Sequence, residues 1–145
     1  NTFLTIATLG NAQEFSDSFD SSTNRYGMMG ISNSTRGIVG GGVTGSPGSI
    51  TKYIESYQIA TLGKGTNFGD LVATTRSTGG IASPTRGVFA GGRAPADSDS
   101  SPSGPVDFIQ YVSMQTESDT VDFGDLTQAR FRRPGVVSNS HGGLG

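Results

Sequence analysis

One pattern recurs along the chain and sets the size of its building unit. Ser83-Pro84-Thr85-Arg86-Gly87-Val88-Phe89-Ala90-Gly91-Gly92 echoes an earlier Ser34-Thr35-Arg36-Gly37-Ile38-Val39-Gly40-Gly41-Gly42. A reduced copy stands at Ser140-His141-Gly142-Gly143-Leu144. In the full copies a polar turn leads into Arg-Gly, then a short apolar run, then a glycine pair. The apolar run suits one buried strand. The glycine pair ends it and admits another backbone at close range. These side chains build; they carry no reaction chemistry.

Other segments repeat at the same interval. Thr5-Ile6-Ala7-Thr8-Leu9-Gly10 matches Gln58-Ile59-Ala60-Thr61-Leu62-Gly63, and Phe15-Ser16-Asp17 matches Phe68-Gly69-Asp70-Leu71 and Phe123-Gly124-Asp125-Leu126. A period of roughly 50 to 55 residues marks a repeat architecture. We expect one repeat domain over 1–145, divided near 1–49, 50–104 and 105–145. Within each repeat the first strand is expected at Phe3–Thr8, Tyr53–Thr61 and Val106–Gln115. A Phe-Gly-Asp-Leu turn should precede the second, at Leu71–Arg76 and Leu126–Arg132. The third is the run that ends in the glycine pair, Gly87–Gly92 and its counterparts. Val43–Ser49 and Arg93–Pro105 read as loops.

Composition agrees with an all-β chain. Twenty-three glycines and six prolines oppose helices, because each glycine costs about 1 kcal/mol in a helix interior. Short strands with many turns suit them. A net charge of −2 gives no electrostatic footprint for nucleic acid. The absence of cysteine excludes disulfides and thiolate metal sites. No apolar run approaches the roughly 20 residues of a membrane span. Asn1 at the first position fits a processed chain or a fragment of a longer product.

Each candidate site also has a structural reading. His141 is the single histidine and the only base a Ser-His-Asp site would have; its Gly-rich surroundings fit a turn at the Thr35/Thr85 position. Asp17, Asp70, Asp97, Asp99, Asp119, Asp122 and Asp125 offer oxygen ligands for calcium. They lack the alternating spacing of a calcium loop, so Asp70 and Asp125 are expected to accept backbone N–H bonds in tight turns. Gly40 to Gly45 matches G-x-G-x-x-G, but Pro47 and Gly48 follow it where a helix would be needed. Arg36 and Arg86 are expected to tie to a repeated aspartate, Asp17 or Asp70. Arg130, Arg132 and Arg133 form a small basic cluster, too few charges for nucleic-acid affinity. Among Tyr26, Tyr53, Tyr57, Phe108 and Tyr111, the rings of Tyr53, Tyr57 and Tyr111 are the candidates for a glycan contact. No cofactor is expected.

The glycine pair after an apolar strand, at this period, resembles kelch repeats, which form four-stranded propeller blades. The chain lacks the tryptophan usual in those blades. Ile6-Ala7-Thr8-Leu9-Gly10-Asn11-Ala12, Phe123-Gly124-Asp125-Leu126-Thr127-Gln128-Ala129-Arg130 and Ser138-Asn139-Ser140-His141-Gly142-Gly143-Leu144 are similar to units of repeat-rich structural proteins of marine cyanobacterial bacteriophages. That resemblance implies a non-enzymatic virion component of a tail, fibre or capsid appendage. It implies kelch-like repeats in propeller-type blades or a small β-sheet stack, completed by oligomerisation. The structural motif would then be Arg36, Gly37, Phe68, Asp70, Arg86, Gly87, Gly91, Gly92, Phe123 and Asp125. The partners would be further copies or other virion proteins, without nucleic acid or a membrane span. A carbohydrate-binding module for a host-surface glycan is the alternative.

Overall fold

The computed structural model describes residues 2–3, 10–15, 17, 24–45, 48–61, 63–95, 104–132 and 135–138. These residues form strands and no helix. The strands are β1 (Thr2–Phe3), β2 (Gln13–Glu14), β3 (Arg25–Tyr26), β4 (Met29–Ser32), β5 (Arg36–Gly40), β6 (Val43–Thr44) and β7 (Ser49–Ile50). After them come β8 (Tyr53–Gln58), β9 (Thr66–Asp70), β10 (Gly79–Ala82), β11 (Arg86–Ala90), β12 (Arg93–Ala94), β13 (Gly104–Ser113) and β14 (Val121–Arg130). The sheets are antiparallel and none closes into a barrel.

Two sheets dominate. The first is a meander in the order β4-β5-β8-β9, and the second repeats it as β10-β11-β13-β14, with β12 alongside the start of β13. Their registers correspond pair by pair. Ile31 faces Ile38 as Ile81 faces Val88, and Gly37 faces Tyr57 as Gly87 faces Val112. Glu55 faces Asn67 as Gln110 faces Asp122. The β1–β2 pair sets Thr2 against Glu14 and Phe3 against Gln13. Those pairings are the Glu55–Asn67 and Ser56–Thr66 pairings displaced by one repeat interval. The hairpin therefore has the register of the β8–β9 half of the first meander.

Local chemistry explains the hairpin turns. Asn33 Oδ1 accepts from the backbone N–H of Thr35 at 3.0 Å and of Arg36 at 2.9 Å. Ser83 Oγ does the same for Arg86 at 3.0 Å. A short polar side chain that bonds its own backbone two or three residues on fixes the turn. Arg-Gly then starts the next strand.

The glycine pair does two jobs. Gly41 and Gly42 have φ of +64° and +107°, and Gly91 and Gly92 have +63° and +113°. This left-handed backbone turns the chain out of the sheet into a small ribbon, β3-β6-β7 in the first unit. The same N–H groups bond neighbours. Gly41 and Gly91 donate to Tyr53 and Phe108 oxygens at 3.1 and 2.9 Å, while Gly42 and Gly92 donate to Thr75 and Arg130 oxygens at 2.9 and 2.7 Å. A Cβ on Gly91 would stand 2.7 Å from the Arg130 oxygen, where no side chain fits.

The two meanders stack face to face. Ile31, Ile38, Ile54, Phe68 and Leu71 of the first unit share a core with Phe89, Val112 and Met114 of the second. The fit is a large residue against a missing one. A Cβ on Gly80 would collide with Met29 and Ile31, and one on Gly87 with Ile31 and Met114. In return the buried Phe89 ring packs onto Gly40, 3.1 Å from where a Cβ would be.

The structure corrects the expected strands. Leu71–Arg76 is a loop apart from a bridge between Arg76 and Arg93, although Leu71 is buried in the core. Phe-Gly-Asp is no turn. It lies inside β9 and β14, where Gly69 and Gly124 sit with φ of +149° and +135° opposite a register shift in the partner strand. Glycine here serves a bulge. Met29–Ser32 and Gly79–Ala82 are strands that the sequence reading left out. Hydrogen bonding groups the strands across the expected division near residue 49, since the first meander spans Met29–Asp70. The reduced third copy at 140–144, with His141, lies outside the described residues, as does most of the expected first strand at 3–8.

The sheet-to-sheet fit is testable at one glycine. Gly80→Ala should destabilise by about 1 to 3 kcal/mol, as overpacking does. Adding Met29→Ala should recover part of that loss in a double-mutant cycle read by urea denaturation.

Candidate functional site

The recurrent side chains gather on the faces of the meanders. The Arg36 guanidinium lies 5.4 Å from the centre of the Phe68 ring, and Arg86 lies 4.8 Å from Tyr111 and 6.0 Å from Phe123. The repeated arginine thus ties to the aromatic of Phe-Gly-Asp, and the expected tie to Asp17 or Asp70 is not what forms. Strand alternation is the cause. Arg36, Ile38 and Gly40 point to one face of β5, and Phe68 packs with Ile38 there. The flat guanidinium stacks on the ring. Arg36 also crosses between sheets, where Nη1 donates to the Met114 oxygen at 3.3 Å. Asn33 Nδ2 makes a second crossing, to the Pro84 oxygen at 2.9 Å.

Asp17 and Asp70 meet the following unit through their backbone oxygens. Thr120 N–H donates to the Asp70 oxygen, and Asp70 N–H donates to Asp119 Oδ1, both at 2.9 Å. Gly65 N–H donates to the Asp17 oxygen at 3.1 Å, the same contact one repeat earlier. The Asp70 carboxylate accepts no turn N–H; it pairs at 3.1 Å with Lys52 in solvent. Asp125 is exposed, and its side chain has no hydrogen bond among the described residues. Because both aspartates sit within strands, no tight turn offers them donors. Among the described residues no three His, Cys, Asp or Glu side chains gather at one point. Asp97 and Asp99 lie outside those residues.

A buried charge that the sequence reading missed lies behind this face. Glu55 is 1% exposed and pairs with Arg25 at 3.1 Å. Tyr57 donates its hydroxyl to the same carboxylate. Gln110 holds the equivalent position in the second unit, also buried. Its Oε1 accepts from Thr120 Oγ1 at 2.7 Å and from Val72 N–H, in the first unit's loop, at 2.9 Å. A polar residue recurring inside an apolar strand was the available signal.

The expected glycan rings do not form one platform. Tyr57 is buried, edge-on to Phe15 at 6.3 Å. Tyr111 lies beneath Arg86 and edge-on to Phe123 at 5.7 Å, while Tyr53 is half exposed on the other meander. Tyr26 is the open ring. With Val43, Ser49, Ile50, Arg76 and Pro95 it lines a concavity of about 480 Å³. Gly40–Gly45 leads from β5 into β6, and no helix follows. Arg130 bonds Gln128 at 2.9 Å and Arg132 stacks on Phe131 at 5.3 Å, whereas Arg133 lies outside the described residues.

The equivalent faces of the two units differ in cover. Ile31, Ile38, Ile54, Phe68 and Leu71 are buried by the second meander. Their counterparts Ile81, Val88, Ile109 and Leu126 are only half-buried, and Phe123 is 57% exposed. No helix among the described residues is long and apolar enough to cross a membrane. Compared with known protein families and with curated proteins, the sequence matches none.

Two acidic residues should separate in a denaturation series. Glu55→Ala strands Arg25 in the interior and should cost about 3 to 5 kcal/mol. Asp70→Ala removes a solvated pair and should cost under about 1 kcal/mol.

Proposed function

We propose that the chain is a structural component of a bacteriophage particle, built as a stack of kelch-like propeller blades. One observation carries the reading. Two four-stranded meanders repeat in register, and one face of the first receives the second. Arg36, Phe68 and Asp70 of the first unit and Gly80 and Gly87 of the second are used in that stacking, which supports a building role over catalysis. The sequence resemblance to phage structural repeats supplies the setting, in a tail, fibre or capsid appendage. A second reading, host-glycan binding, rests on the open Tyr26 ring and Arg76 at the concavity.

Mass spectrometry of purified virions whose genome encodes the chain tests the proposal. The protein should be present at the copy number of a structural component. Its absence from the particle, together with glycan-array binding that Tyr26→Ala abolishes, would favour the second reading.

A further inference from the structure

We infer that the concavity beside Tyr26 binds an acidic saccharide, with one sugar ring laid on the Tyr26 ring and the acidic group on Arg76. This rests on the glycan reading above and names the class of sugar.

The concavity lies where two repeats adjoin. Tyr26 pairs with Val43 in the first ribbon, and Arg76 bridges Arg93 at the corresponding place one interval later. The first ribbon contributes Tyr26, Val43 and Ser49 to the lining, and the second unit contributes Arg76 and Pro95. The volume of about 480 Å³ falls within the roughly 300 to 1,000 Å³ of ligand pockets. Residues that tie the sheets together recur from one repeat to the next, as Arg36 and Arg86 do. The outward position does not recur: tyrosine in the first unit is arginine in the second. That difference sets one aromatic ring and one cation on a single cleft.

Alternation along extended backbone points these two side chains away from the interior. Arg25 and Thr75 precede them and turn inward. The Arg25 side chain is 7% exposed and committed to Glu55, and Thr75 is fully buried. Tyr26 is 56% exposed. Its hydroxyl lies 3.4 Å from where a Cβ on Gly48 would stand, so a side chain there would crowd the ring. Arg76 is half-buried, and among the described residues its guanidinium makes no ion pair or hydrogen bond. Its backbone is held on both sides. The Arg76 N–H and oxygen bond Arg93 at 3.1 and 2.9 Å, and the Ser77 N–H bonds the Gly27 oxygen at 2.7 Å. A base fixed in this way lowers the ordering cost of binding.

The chemistry of the lining names the ligand. A half-buried guanidinium is completed by an anion that offers two oxygens to its fork. The tyrosine ring offers an apolar face to the C–H face of a sugar and a hydroxyl at its end. The exposed Ser49 hydroxyl can donate or accept beside them. A sugar that bears a carboxylate or a sulfate uses all three groups. The carboxylate of an acidic peptide engages Arg76 and leaves the ring unused.

A glycan array carrying matched neutral, uronic-acid and sulfated oligosaccharides tests this with the labelled chain. Acidic members should half-saturate at concentrations about tenfold or more below their neutral counterparts, as a charged hydrogen bond predicts. The two acidic arms tell carboxylate from sulfate, and added salt should weaken both. Arg76→Gln should bring the acidic saccharides to the neutral level. Tyr26→Ala should remove binding of all of them, with the β circular dichroism of both variants unchanged. Equal binding of neutral and acidic saccharides, lost in Tyr26→Ala, would overturn the acidic assignment and keep the glycan reading. Acidic binding that survives Arg76→Gln, or polyglutamate binding as tightly as the uronic-acid arm, would overturn the site. Binding by no arm would overturn both readings.

Discussion

Everything in this fold depends on pairing bulk on one sheet face with its absence on the next. Met29 and Ile31 lie over Gly80 and Gly87, and Phe89 lies over Gly40. Antiparallel sheets normally pack about 10 Å apart, with side chains from both interleaving. Here glycine at the contact lets single large residues fill the gap. Burying a side chain such as Phe89 is worth about 1.5 to 3 kcal/mol, a sizeable share of the roughly 5 to 15 kcal/mol that holds a domain folded.

Polar groups then fix how the sheets sit on each other. Arg36 reaches from its own Phe68 to the Met114 oxygen, and Gln110 reaches from the second sheet to the Val72 N–H of the first. Each bond has a direction, which burial of apolar area lacks. Sliding one sheet over the other would part Gln110 and Thr120 from the Val72 N–H that both accept, and such a bond is worth about 0.5 to 1.5 kcal/mol. The hydrophobic contact supplies the attraction, and these bonds select the alignment.

The sequence made part of this legible. The β character followed from its glycine and turn residues, and the glycine pair after an apolar run showed where β5 and β11 end. The grouping of strands was harder to read. Met29-Gly30-Ile31-Ser32 and Gly79-Gly80-Ile81-Ala82 share only Gly-Ile, so the first strand of each meander carried almost no repeat signal. Phe-Gly-Asp has turn composition, yet Gly69 serves a bulge inside β9. Opposite charge suggested an Arg–Asp tie, but alternation places Arg36 with Phe68 and leaves Asp70 to Lys52. Glu55 escaped notice because burial of a carboxylate depends on Arg25, some thirty positions away.

The meander order also governs how such a chain acquires its structure. In β4-β5-β8-β9 every strand pairs with the one the chain has just made, apart from the short excursion through β6 and β7. Each unit can therefore assemble from nearby segments, which keeps loop-closure entropy small. Where such units stack in a row and each touches only its neighbours, stability accumulates unit by unit in the manner of a one-dimensional array. Gene duplication can lengthen such an array without redesigning its interior: a new unit brings both a bulky face and a glycine face, and so fits wherever it is inserted.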